Sequence, residues 1–271
     1  MHQSPWRLIV DAPQSAARNM AIDEAIAIAF SEGKAPATLR LYSWATPSFS
    51  IGAFQKLESD YIALLEAQEI DLVRRMTGGR GILHDDELTY SVVAGTAHAL
   101  FSGGIQGTFQ SIAGGLLNGL KAVGVEAAVH APVRSGRPAR KNRLCFDAVS
   151  VYEITARGKK LIGSAQRRWK NHFLQHGSLV LKKSNLGTPC SQGLPLNLVS
   201  EHQITLFELM NRDPRHDVLC QALKTGFENA LSITFKAGGL SRDEENRVQE
   251  CLQKKYGRRL WNVCRDQTAM P

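Results

Sequence analysis

Arg74-Arg75-Met76-Thr77-Gly78-Gly79-Arg80-Gly81-Ile82-Leu83-His84-Asp85-Asp86-Glu87-Leu88-Thr89-Tyr90-Ser91 is the stretch on which the reading of this chain turns. A β-like run, Ile70-Asp71-Leu72-Val73, leads into it, and a second run, Leu88–Val93, leaves it. Between them Gly78, Gly79 and Gly81 let the backbone take positive φ and let a ligand approach closely. Arg74 and Arg75 precede the loop and Arg80 stands inside it. With His84-Asp85 just beyond, exposed amides, positive charge and a His-Asp pair would share a small space. That combination suits a carbonyl, carboxylate or phosphate group. The plainer reading of a glycine-rich connection between strands is a hairpin or bulge. The loop is not a Walker motif, because no Gly-Lys-Ser/Thr follows. Nor is it a dinucleotide fingerprint, because the G-x-G-x-x-G spacing is absent.

Upstream, Trp6–Val10 reads as a strand and Asp11–Ser15 as a turn in which Ser15 offers an N-cap. Residues 16–31 read as a helix so apolar that it should pack on a sheet: Ala21, Ala25, Ile28 and Ala29 hold one face, and Ile22, Ile26 and Phe30 extend it. Strands are expected at Thr38–Trp44 and Ser48–Ala53, and a short helix at Asp60–Gln68. Downstream, Gly107–Val123 reads as a helix. Residues 132–143 are a basic loop with no periodic apolar face. Strand-like runs follow at Cys145–Thr155, Lys160–Gln166 and Phe173–Leu181, the first two joined through Ala156-Arg157-Gly158-Lys159 if they pair as a hairpin. From about residue 205 the chain is more helical. Leu219, Leu223, Phe227 and Ala230 share one face. Ser241 with Glu244 forms a capping-box pattern, with Val248, Cys251, Leu252 and Tyr256 inward behind it. With no internal repeat and no low-complexity linker, one mixed α/β domain over residues 1–271 is the economical reading.

Composition narrows the class. Hydrophobic residues make up 43% of the 271, ordinary for a globular protein. The longest apolar runs fall far short of a membrane span, and the N-terminus has no basic patch followed by an apolar core. Five widely spread cysteines argue against a disulfide framework, and none is spaced like a zinc knuckle. A reduced, cytoplasmic protein is expected. The formal charge of +8 admits nucleic acid or acidic proteins as partners, but aromatics at 7%, never interleaved with a basic stripe, speak against nucleic acid.

Cysteine is the candidate nucleophile. Cys220 and Cys251 read as small core residues. Cys145 opens a strand-like run beside the basic loop, and a nearby ammonium would lower its pKa by favouring the thiolate. His84 reads as a structural histidine paired with Asp85, in preference to a general base. Asp147 either orients Lys160 or caps a turn.

Arg74-Arg75-x-Thr77-Gly78-Gly79, with His84-Asp85 and Leu88-Thr89-Tyr90-Ser91 behind it, resembles the acyl-binding motif of the lipoate ligase and octanoyltransferase family, which shares its catalytic fold with biotin protein ligases. Asn19–Ala25 is similar to that family's first helix. Cys145-Phe146-Asp147-Ala148 after a loop, Lys160 ahead of Gly163-Ser164-Ala165-Gln166, and Leu174-Gln175-His176-Gly177-Ser178-Leu179 resemble the cysteine-dependent octanoyltransferases of the LipM type. The resemblance runs from Trp6 to Trp261-Asn262, and Arg80 matches this branch where ATP-dependent lipoate ligases more often carry a third glycine.

The resemblance implies a mixed sheet flanked by helices and two acyl transfers. Cys145 takes octanoyl as a thioester from acyl carrier protein, and a lipoyl-domain lysine, such as that of the glycine cleavage H protein, then accepts it. Lys160 would lower the cysteine pKa and hold the acyl carbonyl. Arg75, Thr77, Gly78, Gly79, Arg80, His84, Ser164, His176 and Gly177 are the implied substrate-binding set. No metal and no cofactor are expected, since octanoyl-phosphopantetheine arrives on the carrier as substrate. A monomer is expected, with no nucleic-acid or membrane partner. Arg134, Arg137, Arg140, Lys141 and Arg143 would steer acidic partners. Three alternatives stand beside this reading: an ATP-dependent lipoate ligase, an amidotransferase moving octanoyl between lipoyl domains, and a non-catalytic module that binds an acylated carrier.

Overall fold

The computed structural model describes residues 5–130, 153–186 and 202–264. The expected basic loop at 132–143, Cys145, Asp147 and Cys190 lie outside them. β1 (Trp6–Val10) leads through the Ser15 cap, whose side chain accepts from the Arg18 amide, into α1 (Ala16–Ser31). β2 (Thr38–Tyr42) then pairs parallel to β1. A second, smaller sheet is built next from β3 (Ser48–Ile51), β4 (Asp71–Arg74) and β5 (Ile82–His84), with α2 (Ser59–Ala67) between β3 and β4. The chain returns to the main sheet as β6 (Glu87–Gly95), antiparallel to β2.

The two runs flanking the glycine loop therefore lie in different sheets. The turn after β5, not the glycines, carries the chain between them. The expected simple hairpin is replaced by a loop, Arg75–Gly81, that joins two non-neighbouring strands of the small sheet.

After β6 come a 3-10 turn (Ala99–Phe101) and α3 (Gly104–Ala122), which begins three residues earlier than its apolar periodicity indicates. The edge is completed by β7 (Ala128–Val129), β8 (Ile154–Ala156), β9 (Lys159–Arg168) and β10 (His172–Val180). β8 and β9 form the expected hairpin, with Arg157 at φ 48° and Gly158 at φ 74° in its two-residue turn. Two positive-φ residues match the right-handed strand twist. β10 pairs with both β9 and β6.

The remaining described elements are α4 (Leu206–Met210), α5 (His216–Leu231), β11 (Phe235–Ala237), α6 (Arg242–Cys251) opened by the Ser241/Glu244 capping box, a π-helical segment (Leu252–Tyr256) and α7 (Arg259–Cys264). The large sheet among the described residues has the order β11-β1-β2-β6-β10-β9-β8-β7. α3 and α5 cover one face, packing Leu116, Leu120, Leu223 and Phe227 on Tyr90, Val92 and Phe173. α1 covers the other and is itself covered by α6, the π segment and α7, which bring Val248, Tyr256 and Trp261 into one apolar cluster with it. Burial on both sides explains why α1 carries so little polar surface, and why three of its polar residues, Asn19, Asp23 and Glu24, are buried. No described helix is long and apolar enough to cross a membrane.

Candidate active site

The small sheet lies beside the α1-facing side of the main sheet, and the glycine loop is hung between them. On the small-sheet side, the Arg75 amide donates to the Ile51 carbonyl (3.0 Å) and the Ala53 amide to the Thr77 carbonyl (2.8 Å). On the main-sheet side, the Thr77 hydroxyl meets His176 Nε2 at 2.7 Å. Arg75 folds the loop on itself: Nη2 donates to the carbonyls of Gly78 and Arg80, both at 2.8 Å, and Nη1 donates to Ser50 O at 3.0 Å. Gly79 rests against Ala165 of β9.

Below the loop runs a cleft with about 370 Å³ of empty space, its open mouth included. Met20, Tyr42, Trp44, Ile82 and Ala165 give it apolar walls, and Gly163 and Gly177 leave room along the strands. A Cβ on Gly177 would fall 2.6 Å from Ser164 Oγ and 2.7 Å from the Tyr90 ring, so only glycine fits there.

The polar side chains lining the cleft are bonded to one another. Glu87, buried, accepts from His84 Nδ1 (2.8 Å), Trp44 Nε1 (3.0 Å) and Thr89 Oγ1 (2.5 Å), and also from the Ser178 hydroxyl. His84 reaches Ser50 Oγ through Nε2 at 2.7 Å and stacks on Trp44 with centroids 3.8 Å apart. Asp23, from α1, accepts from Arg40 Nη1 (2.9 Å), Ser91 Oγ (2.8 Å), Tyr42 OH (3.0 Å) and His176 Nδ1 (3.1 Å). Burial pushes the Asp23 carboxyl up, but the His176 hydrogen bond, the Arg40 charge and Ser91 together hold it below its ordinary value. His176 is pushed down by burial more than Asp23 raises it. Burial first, and the Asp23 charge second, drive the Tyr42 phenol well above its usual value.

The depressed histidine gives stability a pH dependence. Below the ordinary histidine value of about 6.5 the unfolded chain takes a proton that folded His176 refuses, so stability falls with pH there. Asp23 acts in the same sense at lower pH: its contribution is present above the unfolded carboxylate range and is lost as the pH falls toward its folded value. The thermal midpoint should therefore drop between pH 7.5 and 5.5, and His176→Gln should flatten that slope. Melting curves at the two pH values check it; an unchanged slope in the variant would rule His176 out as the source.

A β-bulge sets the aim of Lys160. Thr155 pairs with Lys160 but Ile154 pairs with Ile162, which leaves Leu161 as an extra residue. Leu161 and Ile162 both enter the α3-side core, so Lys160 turns to the opposite, cleft-bearing face. It is fully buried there and ion-paired with Glu153, three residues along β9 from Gly163 of the cleft wall.

Of the residues expected to bind substrate, Arg75, His84, Ser164, His176 and Gly177 line the cleft. Thr77, Gly78, Gly79 and Arg80 belong to the loop beside it. The Ser164 hydroxyl is committed to the Tyr90 phenol at 2.7 Å. The expected His84–Asp85 pair is not formed: Asp85 holds Ser184 Oγ at 2.6 Å, and Glu87 takes the histidine. In an extended strand the Asp85 side chain points to the face opposite His84, whereas the turn at 85–86 brings position 87 back. Arg74 contributes no charge to the loop either. Its guanidinium runs to the C-terminal helix, donating to Trp261 O and Val263 O, each at 3.0 Å. Asp23, Glu87, Trp44 and Glu153 were not selected from sequence. The alternating polar positions Thr89 and Ser91 inside an apolar strand were the available sign that this face is lined with hydrogen bonds. No described cluster of three or more His, Cys, Asp or Glu could hold a metal.

Comparison with known proteins agrees with this geometry. Residues 15–228 match the family model of the lipoyl protein ligase A/B catalytic domain. The octanoyltransferase LipM of Moorella thermoacetica is 37% identical over 270 residues, covering 96% of this chain and 98% of that protein. Its namesake from Kyrpidia tusciae is 39% identical, covering 95% and 98%. Among solved structures, a lipoate-protein ligase A bound with ATP superposes with a TM-score of 0.77 at 25% identity, covering 97% of this chain and all of that one. A T. acidophilum protein with bound lipoic acid gives 0.76 at 25% identity, covering 96% and 100%. The chain belongs to the lipoyl protein ligase A/B catalytic-domain family, in its LipM octanoyltransferase branch.

Proposed function

We propose that this chain transfers octanoyl from acyl carrier protein, through a thioester on Cys145, to a lysine of a lipoyl domain such as the glycine cleavage H protein. The observation that carries the reading is the slot itself. Its walls are apolar, and its polar side chains are already bonded to one another. A hydrocarbon chain is favoured there and a polar ligand would find no open partner.

The chemistry follows from the groups around it. The Cys145 thiolate attacks the carrier thioester. The new carbon–sulfur bond forms, the old one breaks, and the phosphopantetheine thiolate leaves and takes a proton from solvent. A neutral lysine amine of the lipoyl domain then attacks the acyl-enzyme. The amide forms, Cys145 leaves as thiolate, and the amine gives a proton to solvent. The Gly78 and Gly79 amides and the Lys160 ammonium stabilise the oxyanion in each step, a role in which one lost donor costs about 10²–10³ in rate. A lipoyl-domain partner is consistent with the LipM relatives.

Intact mass of the protein mixed with octanoyl-acyl carrier protein, without ATP, tests the reading. One octanoyl adduct is expected, labile to hydroxylamine, mapping to Cys145 and absent from Cys145→Ala. No adduct, with lipoyl-domain modification only when ATP and free acid are supplied, places the chain with the ligases. The formal charge of +8 adds an expectation for kinetics. At subsaturating carrier the rate should fall as salt rises from 0.05 to about 0.5 M, because steering charges are screened within about 10 Å at 0.1 M.

A further inference from the structure

The Asp23–His176–Thr77 line joins α1 to the glycine loop through β10, and with Asp23 ionised and His176 neutral its hydrogen bonds have a fixed direction. An ionised carboxylate only accepts, so the proton between Asp23 and His176 sits on Nδ1. A neutral imidazole carries one N–H, so Nε2 is bare and must accept from the Thr77 hydroxyl at 2.7 Å. The Thr77 proton is thereby committed away from the slot, and the threonine is pinned to β10. Its carbonyl is meanwhile pinned to the Ala53 amide at 2.8 Å.

We propose that Asp23 is a positioning residue for acyl transfer: by holding His176 in the Nδ1–H tautomer it fixes Thr77, and through Thr77 the amides of Gly78 and Gly79. The proposal rests on the octanoyl-transfer reading for what those amides do. The polarity of the line follows from the hydrogen bonds together with an ionised Asp23 and a neutral His176.

Asparagine at this position reverses the line. Arg40 and Ser91 both donate to the same Asp23 oxygen, Oδ1, and Arg40 also donates to Asp11 and Asn19, with no acceptor of its own. The amide oxygen of Asp23→Asn must therefore face Arg40, which turns its NH₂ toward Tyr42 OH and His176 Nδ1. Nδ1 becomes the acceptor, the ring proton moves to Nε2, and Nε2–H now donates to Thr77. The threonine hydroxyl proton is released toward the loop. Partners that orient metal-bound histidines are typically worth about 10–100-fold in activity, and a loss of that order is expected here.

The test combines spectroscopy and kinetics on the full chain. Long-range ¹H–¹⁵N spectra should show His176 as the Nδ1–H tautomer in the wild type and the Nε2–H tautomer in Asp23→Asn. The rate of octanoyl adduct formation should fall about 10–100-fold in Asp23→Asn with KM for the carrier little changed. Thr77→Val should fall comparably, and Thr77→Ser, which keeps the hydroxyl, should recover most of the loss. The Asp23→Asn/Thr77→Val double variant should be no slower than the worse single, because both act through one contact. An Nε2–H tautomer in the wild type, or multiplicative rate losses in the double variant, overturns the proposal. If Asp23→Asn does not fold, the wild-type tautomer and the Thr77 pair decide it. A wild type that forms no adduct sinks the octanoyl reading, while the tautomer still reports on the line itself.

Discussion

Gly52→Ala is expected to slow octanoyl transfer about 100-fold while the chain still folds. A Cβ at this position would sit 2.1 Å from the Gly79 carbonyl oxygen, 2.9 Å from its carbon and 3.1 Å from the Gly78 carbon. All three are backbone atoms, so no side-chain rotation relieves the clash. Gly52 directly follows β3, which is paired on both sides by β4 and β5, whereas the glycine loop is held by discrete hydrogen bonds. The loop therefore moves, by about an ångström, and a displacement of that size is typically worth about 10² in rate. Gly78→Ala is the structural control, since a Cβ there meets nothing within 4 Å and its thermal midpoint should stay close to the wild type. Adduct formation and melting curves on both variants check the argument. A Gly52→Ala enzyme within threefold of the wild type would mean that the loop position is immaterial.

Arg74→Met should lower stability by about 3–5 kcal/mol. One buried guanidinium bonds five carbonyls: Gly52 at 3.1 Å, Ala53 at 3.5 Å, Gln55 at 2.6 Å, Trp261 and Val263 at 3.0 Å. Methionine fills the volume but leaves those acceptors without donors, at about 1–3 kcal/mol for each that water does not reach. For a chain of this size each kcal/mol moves the midpoint roughly 2–4 °C, so a fall of about 10 °C is expected. Arg74→Lys should rescue little, because an ammonium cannot span five acceptors on two separate segments. Thermal melting of both variants decides it; a drop below about 2 °C would show that water replaces the guanidinium without loss.

These two arginines and glycines mark where sequence reading succeeds and where it stops. Signals confined to a few neighbouring residues are legible. Ser15 caps α1, Ser241 with Glu244 opens α6, and Arg157-Gly158 turns the β8–β9 hairpin, each through contacts spanning four residues or fewer. The family motifs likewise located the glycine loop and the β9 and β10 residues that the fold brings to one cleft. Direction and pairing across long separations are not legible. Arg74 and Arg75 are adjacent and look alike, yet one reaches residues 261–263 and the other folds back five residues to Arg80. Asp23 lies 153 positions from His176, and nothing local marks it as a partner. Lys160 is turned away from the α3-side core, which Leu161 and Ile162 both enter, because Leu161 is an extra residue in the ladder, and an inserted residue leaves no trace in apolar periodicity.

The Arg74 clasp also sets an order of events during synthesis. Its first partners, Gly52, Ala53 and Gln55, are already made when Arg74 is, but Trp261 and Val263 follow 187 and 189 residues later. At the usual 5–20 residues per second, roughly 10–40 s separate the two halves of the contact. For that interval the nascent chain holds an arginine with two of its five acceptors missing beside the loop. A ribosome-bound chain stalled before residue 259 should therefore expose this segment to protease, and one released beyond residue 264 should protect it.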